Sequence, residues 1–345
     1  MKKVAKKDLA GLLAKWQKDY TVYVPSQESG VAEMVVWDGK DISFLERYRN
    51  TVVPPKANFL LNVEKMFGFS KDRRGYDIEA PAEAPPKQLI FGIRPCDARA
   101  IGIVDMVFKD GYEDKYYLSR RENSVLVGLT CANPYDSCFC TSLGSGPAES
   151  ANVDLLLTDI GDSFVVEEIT DKGKALMAGV DEKASKEDES KAAAVKQAAA
   201  GKVTRKIDTK TIAARLPAAF DNEKYWQKVA AKCVSCGICT FLCPTCYCFD
   251  INDEMLKGDG ARYRNWDSCS FPLYTKMPAE NPREAKWRRV RQKVNHKYSF
   301  YPILFGEIAC TGCGRCIRLC PVNWDITQTL NGVPETAPAP AAEKK

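Results

Sequence analysis

Two stretches of this chain set four cysteines at one repeated spacing. Cys233, Cys236, Cys239 and Cys243 are followed by Pro244, and Cys310, Cys313, Cys316 and Cys320 are followed by Pro321. Each is a C-x₂-C-x₂-C-x₃-C-P run, in which three thiolates two residues apart wrap three iron corners of a [4Fe–4S] cubane. Gly237 in the first run, and Gly312 and Gly314 in the second, ease the tight loop this demands. The fourth cysteine of such a run points away and ligates the other cluster. On that rule one cluster takes Cys233, Cys236, Cys239 and Cys320, and the other takes Cys310, Cys313, Cys316 and Cys243. The exchange ties the two runs into one ferredoxin-like domain.

The competing chemistry is a pair of structural zinc sites. Those use two ligand pairs across a longer spacer, whereas here three C-x₂-C steps follow one another and end in proline. The chain has fifteen cysteines and one histidine, His296, which disfavours mixed Cys/His zinc sites and any triad that needs an imidazole base. A secreted disulfide scaffold would be short and cysteine-dense throughout. Here four cysteines lie between Cys96 and Cys140, eleven between Cys233 and Cys320, and none between those blocks.

The four upstream cysteines follow apolar runs of strand length. Cys96 stands in Ile93-Arg94-Pro95-Cys96-Asp97, and Cys131, Cys138 and Cys140 share a second loop. Ligands of α/β domains gather on loops at the carboxyl ends of strands, so these four thiols are candidates for a third cluster. Their spacing matches no ferredoxin run, and buried thiols packing as small hydrophobes is the plainer reading. Two cysteines one residue apart on a loop resist that explanation. The nearby Gly144-Ser145-Gly146-Pro147 lacks the third glycine of a dinucleotide fingerprint and is read as a turn.

Between the two runs lies an insertion of 66 residues, 244–309, with Cys246, Cys248 and Cys269. It also holds a basic stretch of Arg283, Lys286, Arg288, Arg289, Arg291, Lys293 and Lys297 against Glu284 alone. A nucleic-acid surface is one reading. A face for an acidic partner or a cofactor phosphate is another, and a solvated face that also offsets the negative charge of the clusters is the plain one; these are favoured over nucleic acid.

The elements that position these residues follow from periodicity. Leu9, Leu12, Leu13 and Trp16 recur at helical spacing. Strands are expected at Tyr20–Val24, Glu33–Trp37, Leu89–Ile93, Ser124–Leu129 and Phe164–Val166, and an exposed loop at Pro81, Pro85 and Pro86. The expected organisation is α+β. A mixed α/β domain spans 1–180, a solvated helical connector 181–215, the dicluster domain with its long insertion 216–331, and a disordered tail 332–345. The N-terminal lysines lead into no apolar h-region, and the longest apolar runs, such as Leu155–Leu157 and Ile303–Phe305, are too short to span a bilayer. A cytoplasmic location, where thiols stay reduced, is expected.

The segments FGIRPCDARAI (91–101), DKYYLSRREN (114–123), CFCTSLGSGP (138–147) and DLLLTDIGD (154–162), with PPKANFLL (54–61) and RNWDSC (264–269), carry a resemblance. Together with the dicluster cysteines they resemble the family that holds the sulfhydrogenase beta subunit, with its iron–sulfur counterpart from anaerobic sulfite reductase. The resemblance implies an electron-transfer role beside a flavoprotein that handles a pyridine nucleotide. The other partner it implies is a hydrogenase, sulfite-reductase or heterodisulfide-reductase-like module, the whole being a hetero-oligomer. Cys96, Cys138 and Cys140, with Cys131 just before them, match the family's upstream CD and CFC elements.

The leading expectation is thus a non-catalytic iron–sulfur subunit of an anaerobic oxidoreductase, without nucleic acid and without a membrane span. The alternative is a self-contained iron–sulfur reductase acting directly on a small substrate. Against it stand the missing acid–base residues and the missing nucleotide fingerprint.

Overall fold

The computed structural model describes residues 1–39, 43–71, 75–79 and 85–335. Pro81 of the expected proline-rich loop, and residues 336–345 of the expected tail, lie outside the described residues.

Eleven strands are found among the described residues: β1 (Lys2–Ala5), β2 (Thr21–Ser26), β3 (Glu33–Val36), β4 (Val63–Lys71), β5 (Tyr76–Glu79), β6 (Gln88–Ile93), β7 (Ser124–Leu129), β8 (Leu155–Asp159), β9 (Ser163–Glu168), β10 (Phe249–Leu256) and β11 (Asp259–Trp266). Seven of them form one sheet in the order β1-β9-β8-β7-β6-β2-β3. Its centre, β2-β6-β7-β8, is parallel, and the outer strands β9, β1 and β3 pair antiparallel. Every residue of β6 and β7 is buried, as expected for parallel strands covered on both faces. β8 falls on the Leu155–Leu157 run, whose three apolar residues are too few to separate strand from buried helix.

Side-chain alternation assigns the two faces. Leu89 and Phe91 pack with Leu9, Leu12, Leu13 and Trp16 of α1 (Leu9–Trp16). Ile90 and Ile93 pack with Ala98, Ile101 and Val104 of α2 (Pro95–Lys109). Ile93 joins the face of Ile90 because the ladder shifts register between Phe91 and Ile93 at Gly92, where φ is +75°. A Cβ on Gly92 would sit 3.2 Å from the Pro25 ring. The bulge bends the strand just before it feeds α2, whose first residue, Pro95, has its φ preset for a helix start.

The remaining helices are α3 (Lys115–Glu122), α4 (Asp171–Leu176), α5 (Lys186–Gly201), α6 (Thr209–Ala218), α7 (Glu223–Ala230), α8 (Ile238–Phe241), α9 (Lys286–Asn295), α10 (Tyr301–Phe305), α11 (Arg315–Arg318) and α12 (Ile326–Asn331). Residues 181–215, read as a solvated helical connector, hold α5 and most of α6. A capping box between Ser185 and Asp188 starts α5, and its Ala192 and Ala199 are buried. Val333 is buried in the core with Leu330 and Trp324, and Glu335 pairs with Arg215. Within the stretch expected to be disordered, Val333 is thus an apolar anchor on the core, while Gly332 and Glu335 are exposed.

The insertion reaches across the molecule. β10 and β11 form a hairpin that adds to β4 and β5, giving a four-stranded antiparallel sheet in the order β10-β11-β4-β5. Arg264 of β11, 1% exposed, seals the junction through Glu64 of β4 and Asp114. Among the described residues no helix is long and apolar enough to cross a membrane.

Candidate metal centres

Among the described residues, three hollows are each walled by four or five cysteines. The first, about 480 Å³, is lined by Cys233, Cys236, Cys239 and Cys320. The second, about 360 Å³, is lined by Cys243, Cys310, Cys313 and Cys316. Both sets are crossed: each combines three cysteines of one run with the last cysteine of the other. The third, about 390 Å³, is lined by Cys96, Cys131, Cys138 and Cys140, with Cys313 at its edge. Among the described residues no three His, Cys, Asp or Glu side chains are grouped to hold a single metal ion. The four thiols of each set stand around a hollow.

The local backbone explains each ring. Gly237, Gly312 and Gly314 all have φ between +64° and +77°, the left-handed turn that lets successive cysteines face one point. In the second run the glycines also bring the halves together. The Phe139 N–H donates to the Gly312 carbonyl at 2.9 Å. A Cβ on Gly312 would sit 2.5 Å from the Cys140 nitrogen. In the third hollow Cys96 is the second residue of α2, and Cys131 follows β7, the strand paired in parallel with β6. Arg94 fixes this crevice by donating to the carbonyls of Leu129 (3.1 Å), Thr130 (2.7 Å) and Arg49 (2.6 Å). Gly146 and Pro147 line it too, and Pro147 accepts from the Cys131 N–H at 2.8 Å, so the expected turn serves the cysteine loop.

The second and third hollows are joined by a buried ion pair. Arg315, between Cys313 and Cys316, grips Asp97, beside Cys96, at 2.5 and 2.8 Å, and also donates to the Thr51 carbonyl at 2.7 Å. The two side chains are 0% and 1% exposed. The bidentate fork satisfies both charges and holds the second cysteine run against the α/β crevice.

Three lysines are buried in this region with no carboxylate in ion-pair reach among the described residues. Lys293 lines both the first and second hollows and donates to the Cys239 carbonyl at 2.6 Å. Lys297 donates to Thr245 Oγ1 at 2.8 Å and to the Ala309 carbonyl at 3.0 Å. Lys56 donates to the Cys246 carbonyl at 2.7 Å. Burial pulls Lys56 down to about 8. Burial would do the same to Lys293 and Lys297, but the thiol groups around them, Cys239 and Cys243 foremost, hold both above the ordinary lysine value. The basic stretch is therefore not a solvated face at these positions. Arg289, Lys293 and Lys297 turn inward beside Val290 and Val294. Those two valines four residues apart were the available signal for which face is buried. Sequence reasoning quoted Arg94 and Asp97 only as neighbours of Cys96, and gave no role to them, to Lys56 or to Arg315.

Burial pushes most of the ring thiols up, Cys138 to about 12 and Cys140 and Cys313 to about 11. Left to themselves these groups keep their protons, and a metal must displace them. Cys239 moves the other way: burial raises it, but the charge and hydrogen bond of Lys293 outweigh that and lower it. Backbone N–H groups point at sulfur in both dicluster hollows: Ser235 at Cys233 (3.4 Å), Gly312 at Cys310 (3.5 Å) and Trp324 at Cys320 (3.2 Å). Two buried donors in the walls, Thr311 Oγ1 and Trp324 Nε1, have no hydrogen-bond partner. Unpaired cations, unpaired donors and thiol rings together fit an anionic, sulfide-rich group.

Comparison with known proteins agrees. Residues 232–324 match the 4Fe-4S dicluster domain family. Sulfhydrogenase 2 subunit beta of Pyrococcus furiosus is 30% identical over 293 residues, covering 84% of this chain and 85% of that protein. No solved structure matches significantly.

Proposed function

This chain belongs to the sulfhydrogenase beta-subunit family, and from that premise we propose that it is a three-cluster electron-transfer subunit of an anaerobic oxidoreductase. The observation that carries the reading is the set of three cysteine-walled hollows, arranged in file. The third and second share Cys313, and the second and first share Lys293. Cys233, Cys236, Cys239 and Cys320 would hold one cluster, Cys243, Cys310, Cys313 and Cys316 the next, and Cys96, Cys131, Cys138 and Cys140 the third. Bound [4Fe–4S] clusters supply one-electron redox chemistry.

The chain's own residues do the rest. Lys293 and Lys297 offset negative charge in a water-poor interior, and N–H donors to Cys233, Cys310 and Cys320 stabilise added charge on sulfur. Cys236 is exposed, with Val234 60% exposed beside it, so the file reaches the surface at its first hollow. At the other end the third hollow opens from the crevice of the α/β sheet. A donor and an acceptor docked at the two ends would exchange electrons through all three hollows. A flavoprotein on one side, with a hydrogenase-, sulfite-reductase- or heterodisulfide-reductase-like module on the other, fits those roles in a cytoplasmic complex. Residues 1–180 and 216–331 serve as the two cluster-bearing units, with 181–215 between them.

The test is a Cys138→Ser/Cys140→Ser double variant of the full chain. It should lose about four iron per chain, retain the signals of the dicluster pair and stop electron flow between the partners. Unchanged iron content would refute the third site.

A further inference from the structure

Three cysteines stand outside all three rings: Cys246, Cys248 and Cys269. Cys246 is hydrogen-bonded to Cys243 of the second ring. Cys248 and Cys269 pair instead with each other, at the open end of the β10–β11 ribbon. Phe249 faces Trp266 in the last rung of the ladder, and the Asp267 N–H donates to the Cys248 carbonyl at 3.0 Å. The two strands therefore leave the hairpin side by side, one carrying Cys248 and the other, three residues past β11, carrying Cys269.

The pair is asymmetric. Cys248, on the strand leading into β10, is half-buried. Cys269 is 7% exposed and lies 3.8 Å from Thr240 Oγ1. That difference in exposure leaves Cys248 the sulfur an outside molecule can reach, and the neighbouring Cys269 thiol holds Cys248 down to about 6, whereas Cys248 and then burial push Cys269 well up. One accessible thiolate beside one buried thiol is the division of labour between an attacking and a resolving cysteine.

We propose that Cys248 and Cys269 form a redox-active dithiol that exchanges with a small external disulfide, separate from the cluster rings. The Cys248 thiolate attacks one sulfur of that disulfide, forming a mixed disulfide and expelling the other half as a thiolate. Cys269 gives its proton to that leaving thiolate and attacks the Cys248 sulfur, which expels the second half. One external disulfide, one protein thiolate and one protein thiol become one protein disulfide, one external thiol and one external thiolate, so two electrons and one proton leave the protein and the last thiolate takes its proton from solvent.

The probe is oxidised glutathione, added anaerobically to the cluster-loaded full chain at pH 7. The reaction is quenched in acid, free thiols are alkylated and peptides are mapped. A Cys248–Cys269 disulfide should form with iron content unchanged and should revert with excess reduced dithiol. Cys269→Ser should trap glutathione on Cys248, and Cys248→Ser should leave Cys269 unmodified. Recovery of both cysteines in the reduced state, glutathione on Cys269 of the Cys248→Ser variant, or loss of iron in step with oxidation would each overturn the proposal. The peptide map of the unsubstituted chain decides the matter even where a variant does not fold. Because it reads sulfur connectivity, its outcome is independent of how many clusters are bound.

Discussion

Removing Asp97 leaves Arg315 as a buried cation without its carboxylate. The pair is bidentate at 2.5 and 2.8 Å, and the two side chains are 1% and 0% exposed. Deleting one partner of such a pair costs about 3–5 kcal/mol, most of it the desolvation of the survivor. With a urea m-value of about 3 kcal/mol/M, the midpoint of unfolding falls by about 1–1.7 M in Asp97→Ala. The assay is anaerobic urea titration followed by tryptophan fluorescence, because Trp226 and Trp324 lie in the core cluster that includes Phe139 of the third hollow's loop. The double variant Asp97→Ala/Arg315→Met removes both charges and should recover most of the loss. A single variant within about 1 kcal/mol of the unsubstituted chain, or a double variant as unstable as the single, would refute the assigned role of the pair.

Lys293→Met removes a cation that lines two hollows. At an effective dielectric of about 20, a unit charge some 4–8 Å away is worth about 2–4 kcal/mol, on the order of 100 mV for one electron. A positive charge favours the reduced state, so the potentials of the dicluster pair should fall in an EPR-monitored titration, and no change would count against the charge argument. Cys243→Ala should damage the cluster gripped by Cys310, Cys313 and Cys316, and Cys320→Ala the one gripped by Cys233, Cys236 and Cys239; damage confined to each residue's own run would defeat the crossed arrangement. Gly312→Ala forces a Cβ to within 2.5 Å of the Cys140 nitrogen at a φ of +64°. The 131–147 loop should then become protease-sensitive while the 283–297 helix region stays protected.

Local signals were read correctly where chemistry or period is short-range. The four residues Leu9, Leu12, Leu13 and Trp16 are the buried face of α1, and Ser124–Leu129 is β7 residue for residue. The C-x₂-C steps could be paired across 77 positions because the proline-terminated run carries its own rule for exchanging ligands. What stayed hidden depends on pairing across the chain. Glu64 meets Arg264, Lys56 meets the Cys246 carbonyl, and Asp97 meets Arg315, and no periodicity links such positions. β10 and β11 were missed because Asp250, Asp253, Glu254 and Arg262 break the apolar pattern of a strand whose outer half faces solvent. The basic stretch was misread at Lys293 and Lys297 because charge suggests a wet surface, while the adjacent Val290 and Val294 mark a buried one.

The central claim is that three cysteine rings each hold a cubane, and the iron and acid-labile sulfide content of the anaerobically purified full chain measures it. The account predicts about twelve iron and twelve sulfide per chain, without stoichiometric zinc. About eight of each would leave the Cys96, Cys131, Cys138 and Cys140 ring empty, and zinc without sulfide would contradict the account as a whole.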